Sequence, residues 1–188
     1  MIKIGITGSI ASGKTTASKI LSNKEGPLFS ADKEVKKIYK SNNFKRLIRK
    51  EFNLKNTFNL KNILKKKILG NKKNILKLEK IIHPIVRKEM KKFSSRNKEK
   101  QKLFYEIPLL IESKLTQYFD IIIFIKANKK VRLKRFKANG GNEKLFHILN
   151  NKQLPDHKKI RFSDHIVVND KKLKILKKNL SSIIKLYV

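Results

Sequence analysis

Gly8-Ser9-Ile10-Ala11-Ser12-Gly13-Lys14-Thr15 matches the pattern G-x-x-x-x-G-K-[ST] at every fixed position. This is the phosphate-binding P-loop pattern, and its meaning depends on what flanks it. Ahead of it, Ile2 to Thr7 alternates and is rich in β-branched residues, as a buried strand should be. Behind it, Thr16 to Ser22 reads as a helix with Ala17, Ile20 and Leu21 inward. Strand, glycine-bounded loop and helix together separate the motif from an ordinary glycine-containing turn. Gly8 and Gly13 let the backbone curl so that the loop N–H groups converge at a helix N-terminus, which favours anions. The expected phosphate contacts are Gly8, Ser9, Ile10, Ala11, Ser12, Gly13, Lys14, Thr15 and Thr16. Lys14 places a cation on the β- and γ-phosphates of ATP, and Thr15 offers a hydroxyl to Mg²⁺.

Working outward, Gly26-Pro27 breaks the chain, and Pro27 to Ser30 reads as a short second strand ending at Ala31-Asp32. A long helical region follows. One face carries Val35, Ile38 and Tyr39, another Phe44, Leu47, Ile48 and Phe52, with a joint at Asn42-Asn43. Asn53 to Asn62 reads as a loop. A helix through Ile63, Leu64 and Ile68 is expected to end near Gly70-Asn71. Helical spacing then runs from Ile75 to Phe93, with a break expected at Pro84 and that proline in the first turn of a new helix. Ser94 to Lys100 reads as a charged loop. Lys102–Ile107 is a third strand stopped by Pro108, and Asp120–Ile125 a fourth, apolar throughout as a doubly covered strand should be. A basic helix from Lys130 to Lys137 reaches Asn139-Gly140-Gly141, and a short helix around Phe146 precedes Pro155. His165–Val168 is a fifth strand, and Leu173 to Ile184 a closing helix.

Alternating strands and helices imply an α/β fold with a parallel sheet. The interval between the second and third strands exceeds what one crossover helix needs, so it should form a helical insertion over the sheet's carboxyl edge. The P-loop, Asp32, Glu106, Pro108 and Asn169 all fall at carboxyl ends of expected strands, where open α/β sheets bind ligands.

Bulk composition excludes several classes. The 188-residue chain has no cysteine, which removes disulfides and thiolate metal sites. Its longest apolar runs are far short of a membrane span, and its first residues lack a signal-peptide layout, so a cytoplasmic protein is expected. The formal net charge of +34 suggests a nucleic-acid partner. The basic residues, however, are mostly lysine and scattered along the whole chain, as drift toward A/T-rich codons would leave them. Tryptophan is absent too. Non-specific polyanion binding at low salt follows from that charge, whereas a specific nucleic-acid partner does not.

Beyond the P-loop, Ser30-Ala31-Asp32, His83-Pro84, Glu106-Ile-Pro108-Leu109-Leu-Ile-Glu112, Gln153-Leu-Pro155 and Asp164-x-Ile-Val-Val-Asn169 occur in the order and at the approximate spacing of one family. From the first strand to about Asn169 the chain resembles dephospho-CoA kinase. The resemblance implies a P-loop NTPase-type three-layer fold with a five-stranded parallel sheet. One domain over 1–188 would carry a helical CoA-binding insertion at about 33–101 and a small lid at about 132–158. It implies transfer of the γ-phosphate of ATP, with Mg²⁺, to the ribose 3′-hydroxyl of dephospho-CoA. That is the last step of CoA biosynthesis, carried out here by a protein expected to be monomeric.

The resemblance also implies roles. Asp32, which could otherwise be a helix N-cap, orients or deprotonates the acceptor hydroxyl. Arg135, otherwise one more solvated cation, is a lid arginine acting on the transferring phosphoryl group. His83, Pro108, Leu109 and Glu112 lie toward the acceptor, though Glu112 could equally cap or salt-bridge locally. Gln153 and Asn169 lie near the adenine or the lid hinge. Glu106 reads either as a holder of a Mg²⁺-bound water or as a solvated strand end.

The chain departs from the family pattern at four positions. Ser30 replaces the first acid of Asp-Ala-Asp, Lys36 stands where arginine is usual, Asn139 where a second lid arginine is expected, and Lys171 where glycine is usual. Three rival readings stand beside this one: another P-loop kinase, acting on a nucleoside or nucleotide; a basic nucleic-acid-binding protein with a vestigial nucleotide site; and a degenerate, inactive kinase, against which the intact P-loop weighs.

Overall fold

The computed structural model describes residues 1–54, 60–68 and 71–187. Five strands form one wholly parallel sheet in the order β2-β3-β1-β4-β5. They are β1 (Ile2–Gly8), β2 (Leu28–Ser30), β3 (Lys102–Glu106), β4 (Ile121–Lys126) and β5 (His165–Val168). Every residue of β3, and every residue of β4 before Lys126, is buried, as a parallel sheet covered on both faces requires. β1 is central, between β3 and β4, so connections depart to opposite sides around it. The register keeps the strand ends level. Ser30 pairs with Glu106, Glu106 with Ile6, Gly8 with Ile125, and Lys126 with Val168. The residues that follow these ends therefore share one edge.

The chain divides into two compact units. The first comprises Met1–Ser30 and Arg96–Val188 and contains the sheet. Its helices are α1 (Lys14–Ser22), α6 (Lys129–Ala138), α7 (Glu143–Asn151), α8 (Asp156–Ile160) and α9 (Leu173–Ile184). Ile4, Ile6, Phe104, Ile123, Ile125 and Val167 of the sheet pack with Ala17 and Leu21 of α1 and with Leu176, Leu180 and Ile184 of α9. The helix α8 was not anticipated, because five residues are too few to show a period.

The second unit, Ala31–Ser95, is helical. It holds α2 (Ala31–Lys40), α3 (Asn42–Glu51), α4 (Leu60–Ile68) and most of α5 (Lys72–Arg96). Its buried residues include Ile38, Phe44, Ile48, Phe52, Leu64, Leu78, Val86 and Met90, and the Tyr39 and Phe44 rings meet edge-on at 5.0 Å.

Two expectations for this unit change, and a third falls outside the described residues. The expected loop over Asn53–Asn62 gives way to helix at Leu60, residues 55–59 lying outside the described ones. The expected helix end at Gly70 also lies outside them. Most clearly, α5 continues through Pro84 without a break and runs on to Arg96, shortening the charged loop. An interior proline costs a helix roughly 3 kcal/mol through the missing N–H and the clash with the carbonyl four residues back. Here that carbonyl belongs to Lys80. Both Lys80 and Pro84 are exposed, so water can hydrate the unmatched oxygen. Leu78, Val86 and Met90 are buried on either side of the proline and hold one helical register across it.

Candidate active site

The loop after β1 is built as its sequence requires. Gly8 has φ 154°, and a Cβ there would lie 2.4 Å from the Ile125 carbonyl oxygen. Gly13 has φ 94°, and its Cβ would lie 2.2 Å from Asn169 Nδ2. Neither place admits a side chain. Ala11 adopts φ 57°, a left-handed conformation that costs an L-residue about 1–2 kcal/mol. Ala11→Gly is therefore expected to raise unfolding stability by about 1 kcal/mol, read as a higher urea midpoint at unchanged slope.

Side chains from distant segments meet on this loop. Lys14 is buried, and its ammonium donates to the Ser9 carbonyl at 3.0 Å. The Ser12 carbonyl accepts from Asn169 Nδ2 at 2.8 Å and from Arg135 Nη1 at 3.4 Å. The Ile10 N–H donates to Gln153 Oε1 at 2.9 Å, and Ser9 Oγ donates to Asp156 Oδ1. Gln153 and Asn169, expected near the adenine or hinge, thus contact the phosphate loop itself.

Beside the loop, Thr15 Oγ1 donates to Glu106 Oε1 at 2.5 Å, while Ser30 Oγ donates to Glu106 Oε2 at 3.1 Å. Glu106 is only 3% exposed, so it is not a solvated strand terminus. Where the family has an acid, Ser30 supplies a donor that supports this buried carboxylate without adding a second negative charge.

The turn after β3 carries the acceptor-side candidates. The Pro108 carbonyl accepts from Thr7 Oγ1 at 3.3 Å, and Leu109 is exposed. Glu112 Oε1 accepts from the Leu154 N–H at 3.1 Å and lies 2.7 Å from the fully buried Lys159 ammonium, off the hydrogen-bonding direction. Its pairing is therefore not local in sequence. Asp32 and His83 belong to the second unit. Asp32 lies in the first turn of α2, two residues past Ser30, and His83 is a half-buried residue of α5.

Sequence reasoning missed Arg132. It is 5% exposed, and its Nε donates to the Ala127 carbonyl at 3.1 Å. Its Nη1 donates to Asn150 Oδ1 at 2.8 Å and to the Ile10 carbonyl at 3.4 Å, and its guanidinium carbon lies 5.7 Å from the Phe146 ring centroid. Burial pushes this guanidinium below its ordinary pKa, and the Asp156 carboxylate pulls it partly back. Its position one helical turn before Arg135 was the available signal. Among 48 lysines and arginines nothing in composition set it apart.

The joint after α6 is bridged at its flanks. Lys137 Nζ donates to Glu143 Oε2 at 2.6 Å. That hydrogen bond, then the lysine's charge and His147, hold the Glu143 carboxyl below its ordinary 4.5. A depressed folded-state pKa stabilises above the unfolded value, and the contribution is lost as pH falls through the folded one. The Glu143 carboxyl resonance should therefore titrate below 4.5, and Lys137→Ala should return it toward that value.

The family model for dephospho-CoA kinase matches residues 2–174. The dephospho-CoA kinase of Bartonella quintana is 35% identical over 186 residues, covering 96% of this chain and 95% of that protein. That of Fusobacterium nucleatum is 32% identical over 182 residues, covering 94% of each. The structure of the dephospho-CoA kinase from Campylobacter jejuni superposes with a TM-score of 0.70 at 25% identity, over 97% of this chain and 95% of that one. A shikimate kinase from Acinetobacter baumannii shares the fold alone, with a TM-score of 0.60 at 12% identity, covering 99% and 92% of the two chains. With a family model that runs from β1 into α9 and full-length relatives above 30% identity, the chain belongs to the dephospho-CoA kinase family.

Proposed function

We propose that this protein transfers the γ-phosphoryl group of ATP to the ribose 3′-hydroxyl of dephospho-CoA, giving CoA and ADP, the last step of CoA biosynthesis. The observation that carries this reading is the loop Gly8–Thr15, with Glu106 beneath Thr15, in a chain that the dephospho-CoA kinase model spans almost throughout.

Phosphoryl transfer leaves the protein little covalent chemistry, so positioning and electrostatics supply the rate. The loop N–H groups and Lys14 hold the β- and γ-phosphates. Arg135, already on the loop at the Ser12 carbonyl, offers a planar cation to the charge that spreads over the moving phosphoryl group. Asp32 orients the 3′-hydroxyl and accepts its proton. The second unit, with His83, supplies the CoA-binding surface, and Pro108, Leu109 and Glu112 belong to the acceptor side. Within the lid at about 132–158, the part before Gln153 closes to exclude water, while the stretch from Gln153 on is anchored to the phosphate loop and to Glu112.

The donor set suits Mg²⁺. Thr15 and Glu106 present hydroxyl and carboxylate oxygens side by side. No cluster of three or more His, Cys, Asp or Glu that could cage a metal occurs among the described residues. An ion held by few protein oxygens, waters and substrate phosphates is how Mg²⁺ is bound with nucleotides. The Thr15 hydroxyl would hold Mg²⁺ directly and Glu106 would hold it through a water, and the ion would supply positive charge to offset the charge that develops on the phosphates. No helix among the described residues is long and apolar enough to cross a membrane, and the protein is proposed to act in the cytoplasm on small molecules, as a monomer.

The test is ADP release from ATP across a panel of acceptors. Dephospho-CoA should stimulate it at least tenfold over the acceptor-free rate, and nucleosides should not. Stimulation by a nucleoside or nucleotide instead would make this a different P-loop kinase.

A further inference from the structure

The segment Gln153–Lys159 touches the phosphate loop twice and the turn after β3 twice. Gln153 Oε1 accepts from the Ile10 N–H, and Asp156 Oδ1 accepts from Ser9 Oγ. The Leu154 N–H and the Lys159 ammonium both meet Glu112. Lys159 is fully buried, so moving the segment would strand an ammonium without its counter-ion. Asp156 is thus presented by an anchored stretch. Its setting is unusual, because a carboxylate beside a phosphate site repels the ligand. Two features offset this. The guanidinium of Arg132 lies close enough to feel its charge, and its hydrogen bond falls on Ser9, whose side chain is buried. Ser12 is held by Asn169 and Arg135, whereas Ser9 and Ile10 are held by Asp156, Gln153 and Arg132.

We propose that Asp156 is a positioning residue for phosphoryl transfer: through Ser9 Oγ it fixes the first half of the phosphate loop in its binding shape before the nucleotide arrives. Without that bond the loop is ordered only at the expense of binding, so affinity falls while turnover at saturation is kept. A charge-assisted hydrogen bond of this kind corresponds to about a tenfold change in affinity. The inference rests on the kinase reading only in requiring nucleotide phosphates in this loop.

The experiment is calorimetric titration of the full chain with ADP and with ATP, alongside thermal melts and kcat at saturating ATP. Ser9→Ala and Asp156→Ala should each weaken nucleotide binding about tenfold, and Asp156→Ala should keep kcat within about twofold. The double variant should be no weaker than the weaker single one, since both remove the same bond. Asp156→Asn keeps an acceptor oxygen and should stay within about threefold of wild type. Should Asp156→Ala fail to fold, Ser9→Ala carries the test, as it removes one buried hydroxyl only. Wild-type affinity in the single variants, or a double variant weakened by the product of the two, would overturn the proposal. So would tighter binding by Asp156→Ala, which would make the carboxylate merely repulsive. Nucleotide binding absent from folded wild-type protein would instead overturn the kinase reading, and this inference with it.

Discussion

Lys14→Ala is expected to lower kcat/KM for ATP by about 10³-fold or more, about 4 kcal/mol of lost transition-state stabilisation. Two physical facts set the size. The ammonium is buried, and its charge acts there with little screening, so each phosphate contact is worth far more than in water. It is also already fixed, its bond to the Ser9 carbonyl holding it within the curl of the loop. Lysine donates three N–H bonds, so that tether is compatible with reaching the phosphates. The many other lysines cannot substitute, since they add potential without geometry. Lys14→Arg should not restore activity either, because a planar guanidinium does not fit a position shaped for a compact ammonium. Steady-state kinetics on folded variants provides the check. A loss below tenfold would mean that the loop binds phosphate without Lys14 contributing to transfer.

Asp32→Asn is expected to lower kcat by about 10²–10⁴-fold while leaving the KM for ATP within a few-fold. The substitution keeps size and one acceptor oxygen but removes the group that takes the hydroxyl proton. The split between the constants separates this role from that of an acid serving only the helix dipole. Losing a charge that only favours the helix dipole would lower stability by about 0.3–1 kcal/mol and leave kcat of the folded fraction unchanged. Asp32 is the second residue of α2, which rules out an N-cap and leaves a favourable contact with the helix dipole as the structural competitor. A kcat within threefold of wild type would assign it to that structural task.

Much of this fold was legible in the sequence. β4 announces itself because a strand covered on both faces carries a continuous apolar run, and α1 because a P-loop must open a helix. The exceptions have physical causes. Pro84 is a helix breaker by local rule, yet Leu78, Val86 and Met90 pack at helical spacing on both sides of it, and tertiary burial overrides the local cost. Helix α8 is too short to carry a period.

The candidate site divides in the same way. Its backbone component, Gly8 to Thr15, is a local motif and reads directly. The side-chain network around it is not local. Arg132, Asp156 and Lys159 acquire meaning only when distant segments meet, and in a chain of net charge +34 a functional cation has no contrast against its background. Acids are few, 14 in all, so Asp156 was the more accessible signal: a carboxylate placed immediately after Pro155 in a stretch otherwise basic.

Ala11 shows a different limit. Its left-handed backbone follows from the shape of the loop and leaves no trace in residue type. Ser30 shows how a departure from the family pattern can be accommodated. Its hydroxyl turns toward Glu106 and satisfies the second oxygen of that buried carboxylate.

The central claim is that the phosphoryl group leaves ATP for one particular hydroxyl. Incubating the full-length protein with ATP, Mg²⁺ and dephospho-CoA, and following the mixture by phosphorus NMR and mass spectrometry, measures this directly. The account predicts CoA bearing a new ribose 3′-phosphate in one-to-one yield with ADP, absent with Lys14→Ala. Folded protein that forms no CoA at any Mg²⁺ concentration tested, or that places the phosphate on another acceptor, would contradict it.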